Sequence, residues 1–272
     1  MQYFLLCDII DIINGLDTKN FKLSGGVFMD INIGIQIYTL RSEMSLGYDE
    51  VLKRIAETGY KGVEMTYDPD NGKEVGELLK KYSLTATGAH IDIFKAENDM
   101  DTVIKFMENI GAKDVIIPWI PDIETEEQTI ATAKRIEAIA KKYEPLGYKL
   151  GFHNHVTEFS RKFNDKTVID IFYDEAPSLK FEVDVGWAYA AGADVVAVLN
   201  KLGDRLMYIH VKDVDENNKP TEIGSGQTDM KNIIAAAAKL GVKWGIVEQD
   251  ECVNYKPFDS IKMSWDFLNT KD

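Results

Sequence analysis

Eight positions of this chain carry side chains able to move protons or hold a cation, and they lie at or just behind the ends of short strand-like runs: Glu64, His90, His153, His155, Glu158, Asp184, His210 and Glu248. All four histidines of the sequence are among them. A lone histidine or aspartate at a strand end is often no more than a hydrogen-bonded cap. The joint pattern carries more weight, because a hard-to-borderline divalent cation needs imidazoles and carboxylates converging from different strands. The residue types therefore predict a metal centre.

The elements that must position these groups follow from hydrophobic patterning. From Ile31 onward, short β-branched runs alternate with longer amphipathic segments, the signature of parallel strands joined by crossover helices. The runs are Ile31 to Tyr38, Gly62 to Thr66, Ala86 to His90, Asp114 to Trp119, Lys149 to His153, Leu179 to Val183, Leu206 to Val211 and Trp244 to Glu248. A loose repeat supports the count. Thr58-Gly59-Tyr60-Lys61, Ile110-Gly111-Ala112-Lys113, Leu146-Gly147-Tyr148-Lys149 and Leu240-Gly241-Val242-Lys243 each place a glycine where a helix should end and a strand begin. Closing such a sheet removes its edges, so the sequence predicts an α/β fold, a single (β/α)8 barrel, with the site built on the strand C-terminal ends.

Composition narrows the partners. A chain of 272 residues that is 45% hydrophobic buries a full core as one domain. A net charge of −14 disfavours duplex DNA and anionic membrane, which require a basic surface, and favours a small-molecule ligand. Cys7 and Cys252 show no CxxC spacing, so neither a disulfide framework nor a thiolate zinc site is predicted and a cytoplasmic setting is the natural expectation. No segment has the roughly 20 apolar residues of a membrane span. Residues 1–30 read as an atypical extension without the basic start or cleavage site of a signal peptide. Met29 stands just before the first convincing strand, which suggests that translation begins there and that the catalytic domain is 31–272.

Residues from Ile33 to Asn269 resemble the sugar phosphate isomerase/epimerase family, the xylose isomerase-like TIM barrels. The resemblance rests on Gly34-Ile35-Gln36-Ile37-Tyr38-Thr39-Leu40-Arg41, Gly62-Val63-Glu64, Gly151-Phe152-His153-Asn154-His155 with Glu158-Phe159, Val183-Asp184-Val185-Gly186-Trp187, Ile209-His210-Val211-Lys212-Asp213, Glu222-Ile223-Gly224-Ser225-Gly226 and Val247-Glu248-Gln249-Asp250. It implies a divalent metal, Mn²⁺ first, with Co²⁺, Mg²⁺ and Zn²⁺ as the other ions used by such proteins, held by Asp184, His210, Glu248 and one ligand from strand five. Many relatives carry a glutamate in that strand where this chain has His153. The fourth ligand is then either His153 or Glu158 reaching back from the loop, and Glu158 is the expectation. A homo-oligomer is also implied by the resemblance alone.

The implied reaction is metal-dependent isomerisation or epimerisation of a keto-sugar or sugar phosphate, in which an adjacent C–H proton is removed to give a metal-bound enediolate. The candidate bases are Glu64, Glu248 and an imidazole of the His153/His155 pair. Lys212, two residues after His210 and on the same face, would bind a substrate oxygen or pair with a metal ligand. The histidine-rich fifth strand leans toward an alternative, a lyase that dehydrates a keto-inositol or cleaves a 3-keto-glycoside. A non-catalytic sugar-binding barrel is a third reading. An abasic-site endonuclease is disfavoured, since it needs more histidines and a basic groove. Trp119 and Trp187 are candidates to stack on a sugar ring or pack the barrel rim, and the Gly224-Ser225-Gly226 turn is a candidate phosphate cradle or a plain loop.

Overall fold

The computed structural model describes residues 31–270, so the extension at 1–30 and the start at Met29 lie outside the described residues. Eight parallel strands close into a barrel: β1 Asn32–Gln36, β2 Gly62–Thr66, β3 Thr85–His90, β4 Asp114–Ile117, β5 Lys149–His153, β6 Lys180–Asp184, β7 Leu206–Val211 and β8 Trp244–Val247. Each pairs with its sequence neighbours, and β1 pairs with both β2 and β8 to complete the ring. This is the (β/α)8 barrel that the alternating pattern predicts. The four repeat glycines do what the spacing requires: Gly59, Gly111, Gly147 and Gly241 all have positive φ, the conformation that turns a helix end into the next strand at least cost without a Cβ.

Strand ends shift where local hydrogen bonding intervenes. β1 stops at Gln36 rather than Tyr38, because the Gln36 side chain accepts a bond from the Tyr38 N–H at 3.0 Å and opens the 3₁₀ helix Ile37–Leu46. Thr125 caps helix Glu126–Tyr143 in a capping box with Gln128, leaving Glu126 and Glu127 in the first turn where the helix dipole favours them. Two pairings slip register inside strands, β2 with β3 between Val63 and Glu64, and β6 with β7 between Phe181 and Glu182. The extra residue is Thr87 of β3 in the first and Met207 of β7 in the second, upstream of His90 and His210, and each lies level with a fully buried glutamate, Glu64 and Glu182.

Around the barrel, helices bury one apolar stripe each. Gly72–Lys81 and Met100–Ile110 approach most intimately at Gly76, where an added Cβ would stand 1.9 Å from the Asn109 carbonyl oxygen. Alanine normally stabilises a helix relative to glycine by about 1 kcal/mol. At this contact the clash dominates, and Gly76→Ala is expected to destabilise the protein by about 1–3 kcal/mol through overpacking. In a domain of this size that lowers Tm by roughly 2–4 °C per kcal/mol, read by thermal denaturation. An unchanged or raised Tm would contradict the close contact. Cys252 is a free thiol. Among the described residues, no helix is long and apolar enough to cross a membrane.

Candidate metal centre and catalytic pocket

Strand alternation places the chemistry. On β6, Glu182 and Asp184 are two apart and share a face; Asp184 lies opposite His210 of β7. Asn154, directly after β5, ties the ends of β5 and β6 together: its Oδ1 accepts the Asp184 N–H at 3.0 Å and its Nδ2 donates to the Asp184 carbonyl at 3.3 Å. Asp184 Oδ1 in turn accepts from the Trp187 N–H at 2.9 Å and caps helix Val185–Ala190. The aspartate is thereby oriented by backbone before any ligand arrives.

Toward the barrel interior, two buried glutamates brace the imidazoles. Glu64 Oε2 lies 2.7 Å from His210 Nε2 and 3.0 Å from His90 Nε2, and accepts from Gln36 Nε2 at 2.7 Å. Glu182 Oε2 lies 2.9 Å from His90 Nε2, 3.2 Å from His153 Nδ1 and 3.0 Å from His210 Nε2. Burial opposes the charged form of Glu64, but His90 and His210 overcome it and hold the carboxyl well below the usual range. His90 is the counterpart: burial disfavours its charge, yet Glu64 and Glu182 push its pKa up to about 10. His210 is likewise raised well above 6.5 by Glu182, Glu248 and Glu64 against the cost of burial. His153 goes the other way, lowered by burial and by the charge of His210.

Glu182 was not singled out from the sequence, although its spacing from Asp184 is the signal that identifies it. Glu64, a candidate base, is fully buried beneath the imidazoles and does not line the pocket. Its geometry is that of a group acting through His90 and His210.

Outward of this network, His153, Asp184, His210 and Glu248 bring one ligand atom each within 4.8 Å of one another, and all four residues are buried. Two imidazoles and two carboxylates suit a borderline divalent ion, so the donor set fits the metal that the resemblance implies. Of the two strand-five candidates, His153 joins this group and Glu158 does not. Glu158 is spent locally: the chain enters helix Val156–Ser160 directly after His155, and the Glu158 carboxylate accepts the His155 N–H at 2.7 Å. Lys212 is fully buried, with Nζ 2.8 Å from Asp184 Oδ2, 3.0 Å from Glu248 Oε2 and 2.6 Å from Asp250 Oδ2. Of its two readings, the structure displays the ion pair. These carboxylates raise the lysine pKa against burial, so it stays charged.

Above the donor set opens a cavity of about 460 Å³, lined by His90, His153, His155, Glu248, Asp250, Asp92 and the aromatic rings of Tyr38, Tyr67 and Trp119. That volume suits a small polyhydroxylated ligand, and the exposed face of Trp119 suits the C–H face of a ring. His155 lines the same cavity, packed edge-on to His153 with ring centroids 5.0 Å apart, and its Nδ1 has no hydrogen-bond partner among the described residues. Trp187 instead lies under the Lys212 ammonium, 4.6 Å from its ring centroid. The glycine turn is not free to cradle an anion. The N–H groups of Gly224 and Gly226 already donate to Asp213 Oδ2 at 2.9 and 3.0 Å.

A consequence concerns protons. A metal ligand must be a neutral imidazole, and His210 is held protonated in this arrangement. Metal entry is therefore expected to release protons, and affinity to rise with pH below the raised His210 pKa by about tenfold per unit for each proton released. Calorimetry of metal binding in buffers of different ionisation enthalpy checks this; a binding enthalpy independent of buffer would refute it.

Comparison with known proteins supports the same architecture. An inosose dehydratase from Mesomycoplasma hyopneumoniae is 26% identical over 191 residues, spanning 62% of this chain and 63% of the relative's length. Another from Geobacillus kaustophilus is 25% identical, covering 81% of this chain and 86% of its own. The crystal structure of a sugar phosphate isomerase/epimerase from Parabacteroides distasonis superposes with a TM-score of 0.77 at 19% identity, covering 88% of this chain and 94% of that one. The profile of one family spans residues 52–270, from the first crossover helix to the last, and with the closed barrel and its strand-end cluster it places the chain in the xylose isomerase-like TIM barrel family.

Proposed function

We propose that the protein is a divalent-metal-dependent enzyme, Mn²⁺ being the ion its outer donor set suits, acting on a polyhydroxylated ketone such as a keto-inositol or keto-sugar. It removes the proton next to the carbonyl and expels the β-hydroxyl as water. The observation that carries this reading is the pocket floor, where two imidazoles outside the outer donor set, His90 and His155, face one cavity beside it. A bound divalent ion supplies Lewis-acid polarisation of the carbonyl and lowers the cost of removing the proton.

His155 takes the α-proton. The electron pair left on carbon forms the new double bond as the β C–O bond breaks, and His90 donates a proton to the departing oxygen, which leaves as water. His90 is suited to donate because Glu64 and Glu182 keep it charged through neutral pH, and its Nε2 is engaged by both, which leaves Nδ1 for the cavity. Lys212 holds Asp184, Glu248 and Asp250 in register and offsets their charge. A proton acceptor and a separate, charged donor are what an elimination needs, and the likeness to inosose dehydratases supports the assignment.

Isomerisation or epimerisation, the expectation from the sequence, shares the first step and is the second reading. In it the imidazole that takes the proton returns it to carbon, and the leaving oxygen stays. Incubating Mn²⁺-loaded protein with inosose, ketoses and 3-keto-glucosides in D₂O, followed by NMR, separates the two. Deuterium exchange next to the carbonyl with loss of water or an aglycone is the expected outcome. Exchange with an isomeric product favours the second reading, and binding without exchange would leave only a sugar-binding barrel.

A further inference from the structure

Beneath the outer set lies another donor group. His90 of β3, His153 of β5, Glu182 of β6 and His210 of β7 also bring their ligand atoms within 4.8 Å of one another. The nitrogens stand 2.9, 3.2 and 3.0 Å from Glu182 Oε2. Ligand atoms about 2.1 Å from a shared ion are separated by about 3 Å at right angles and about 3.4 Å at tetrahedral angles, so these distances need grow by only a few tenths of an ångström to surround one cation. Hydrogen bonding does not exhaust the group. Glu182 and Glu64 are fully buried, and the Oε1 of each has no hydrogen-bond partner among the described residues.

The outer set differs. Its carboxylates already have the Lys212 ammonium against them, and His153 Nε2 stands 4.0 Å from both Asp184 and Glu248. His153 and His210 also turn opposite ring nitrogens to the two groups: Nδ1 and Nε2 inward, Nε2 and Nδ1 outward. A neutral imidazole has one lone pair to give. An ion in one group therefore competes with an ion in the other.

We propose that His90, His153, Glu182 and His210 form a second, deeper cation position, alternative to the outer one and selected by the chemistry of the ion. Three imidazoles and one carboxylate suit Zn²⁺ or Co²⁺, whereas the outer pair of imidazoles and pair of carboxylates suits Mn²⁺. An ion held deep occupies His90 and with it the proton donor. The contrast rests on the outer assignment made above but not on the reaction.

Metal-free full chain is titrated separately with Zn²⁺ and Mn²⁺, as wild type and as Glu182→Gln, His90→Gln and Asp184→Asn. Glu182→Gln and His90→Gln are expected to weaken Zn²⁺ by at least about tenfold more than Mn²⁺, whose outer ligands lose only a supporting hydrogen bond, and Asp184→Asn to do the reverse. Equal losses of both ions in Glu182→Gln overturn the proposal. X-ray absorption of zinc-loaded wild type needs no variant to fold: three imidazoles around the ion support the deep position, and two or fewer overturn it. No turnover is read, so failure of the proposed reaction leaves these outcomes intact.

Discussion

Asp184→Asn is expected to abolish Mn²⁺ binding at working concentrations and to cut turnover by at least about a thousandfold, while the barrel stays folded. The substitution keeps shape and changes charge. The new side chain still offers an oxygen where Asp184 Oδ1 accepts the Trp187 N–H at 2.9 Å, and the backbone bonds to Asn154 are untouched. What disappears is one of two carboxylates in the outer set and the charge 2.8 Å from Lys212. Lys212 retains Glu248 and Asp250 at 3.0 and 2.6 Å, so it is not left as an unpaired buried cation. Lewis-acid stabilisation is worth several kcal/mol of barrier, and each 1.36 kcal/mol is about tenfold in rate, which sets the thousandfold scale. Manganese affinity by electron paramagnetic resonance, with circular dichroism as the folding control, is the measurement. Undiminished affinity would remove Asp184 from the metal centre.

His155→Gln is expected to lower kcat by about 10²–10⁴-fold with metal affinity nearly unchanged, the usual range for losing a positioned general base. Glu158 is held by the backbone N–H of residue 155, so the helix start survives the change. The pattern of loss distinguishes this residue from His90. Without His155, deuterium exchange next to the carbonyl should vanish along with product. Without the donor His90, exchange should persist while water loss slows. If exchange in His155→Gln matches the wild type, the base lies elsewhere in the pocket, with Asp92, His153, Glu248 and Asp250 among the groups on its wall.

Much of this was legible in the sequence because strand ends in such a barrel all point to one rim, so finding the strands finds the site. His90, His153, Asp184, His210 and Glu248 required only that rule. Glu158 shows where the rule stops. Whether a carboxylate five residues past a strand end reaches the centre depends on where the next helix begins, and here it begins at Val156, early enough to claim the side chain for its own first turn. The Gly224-Ser225-Gly226 turn failed as a phosphate cradle for a similar reason. Its amides are bound by Asp213, more than ten residues upstream, a partner that local spacing does not announce. Lys212 left two readings open at the sequence level because only the fold shows it enclosed by three carboxylates.

The register slips beside Glu64 and Glu182 carry a further consequence for anyone comparing this chain with distant relatives. A shift of one residue in a strand turns its side chains to the opposite face. The extra residues are Thr87 and Met207, on the strands that carry His90 and His210, so an alignment that allows gaps only in loops will pair these histidines with neighbours of the wrong parity and score them as unrelated. Grafting the cluster onto another barrel meets the same obstacle, since the extra residue inside the strand must travel with the imidazole that follows it. The inheritable unit is the bulge and its histidine together.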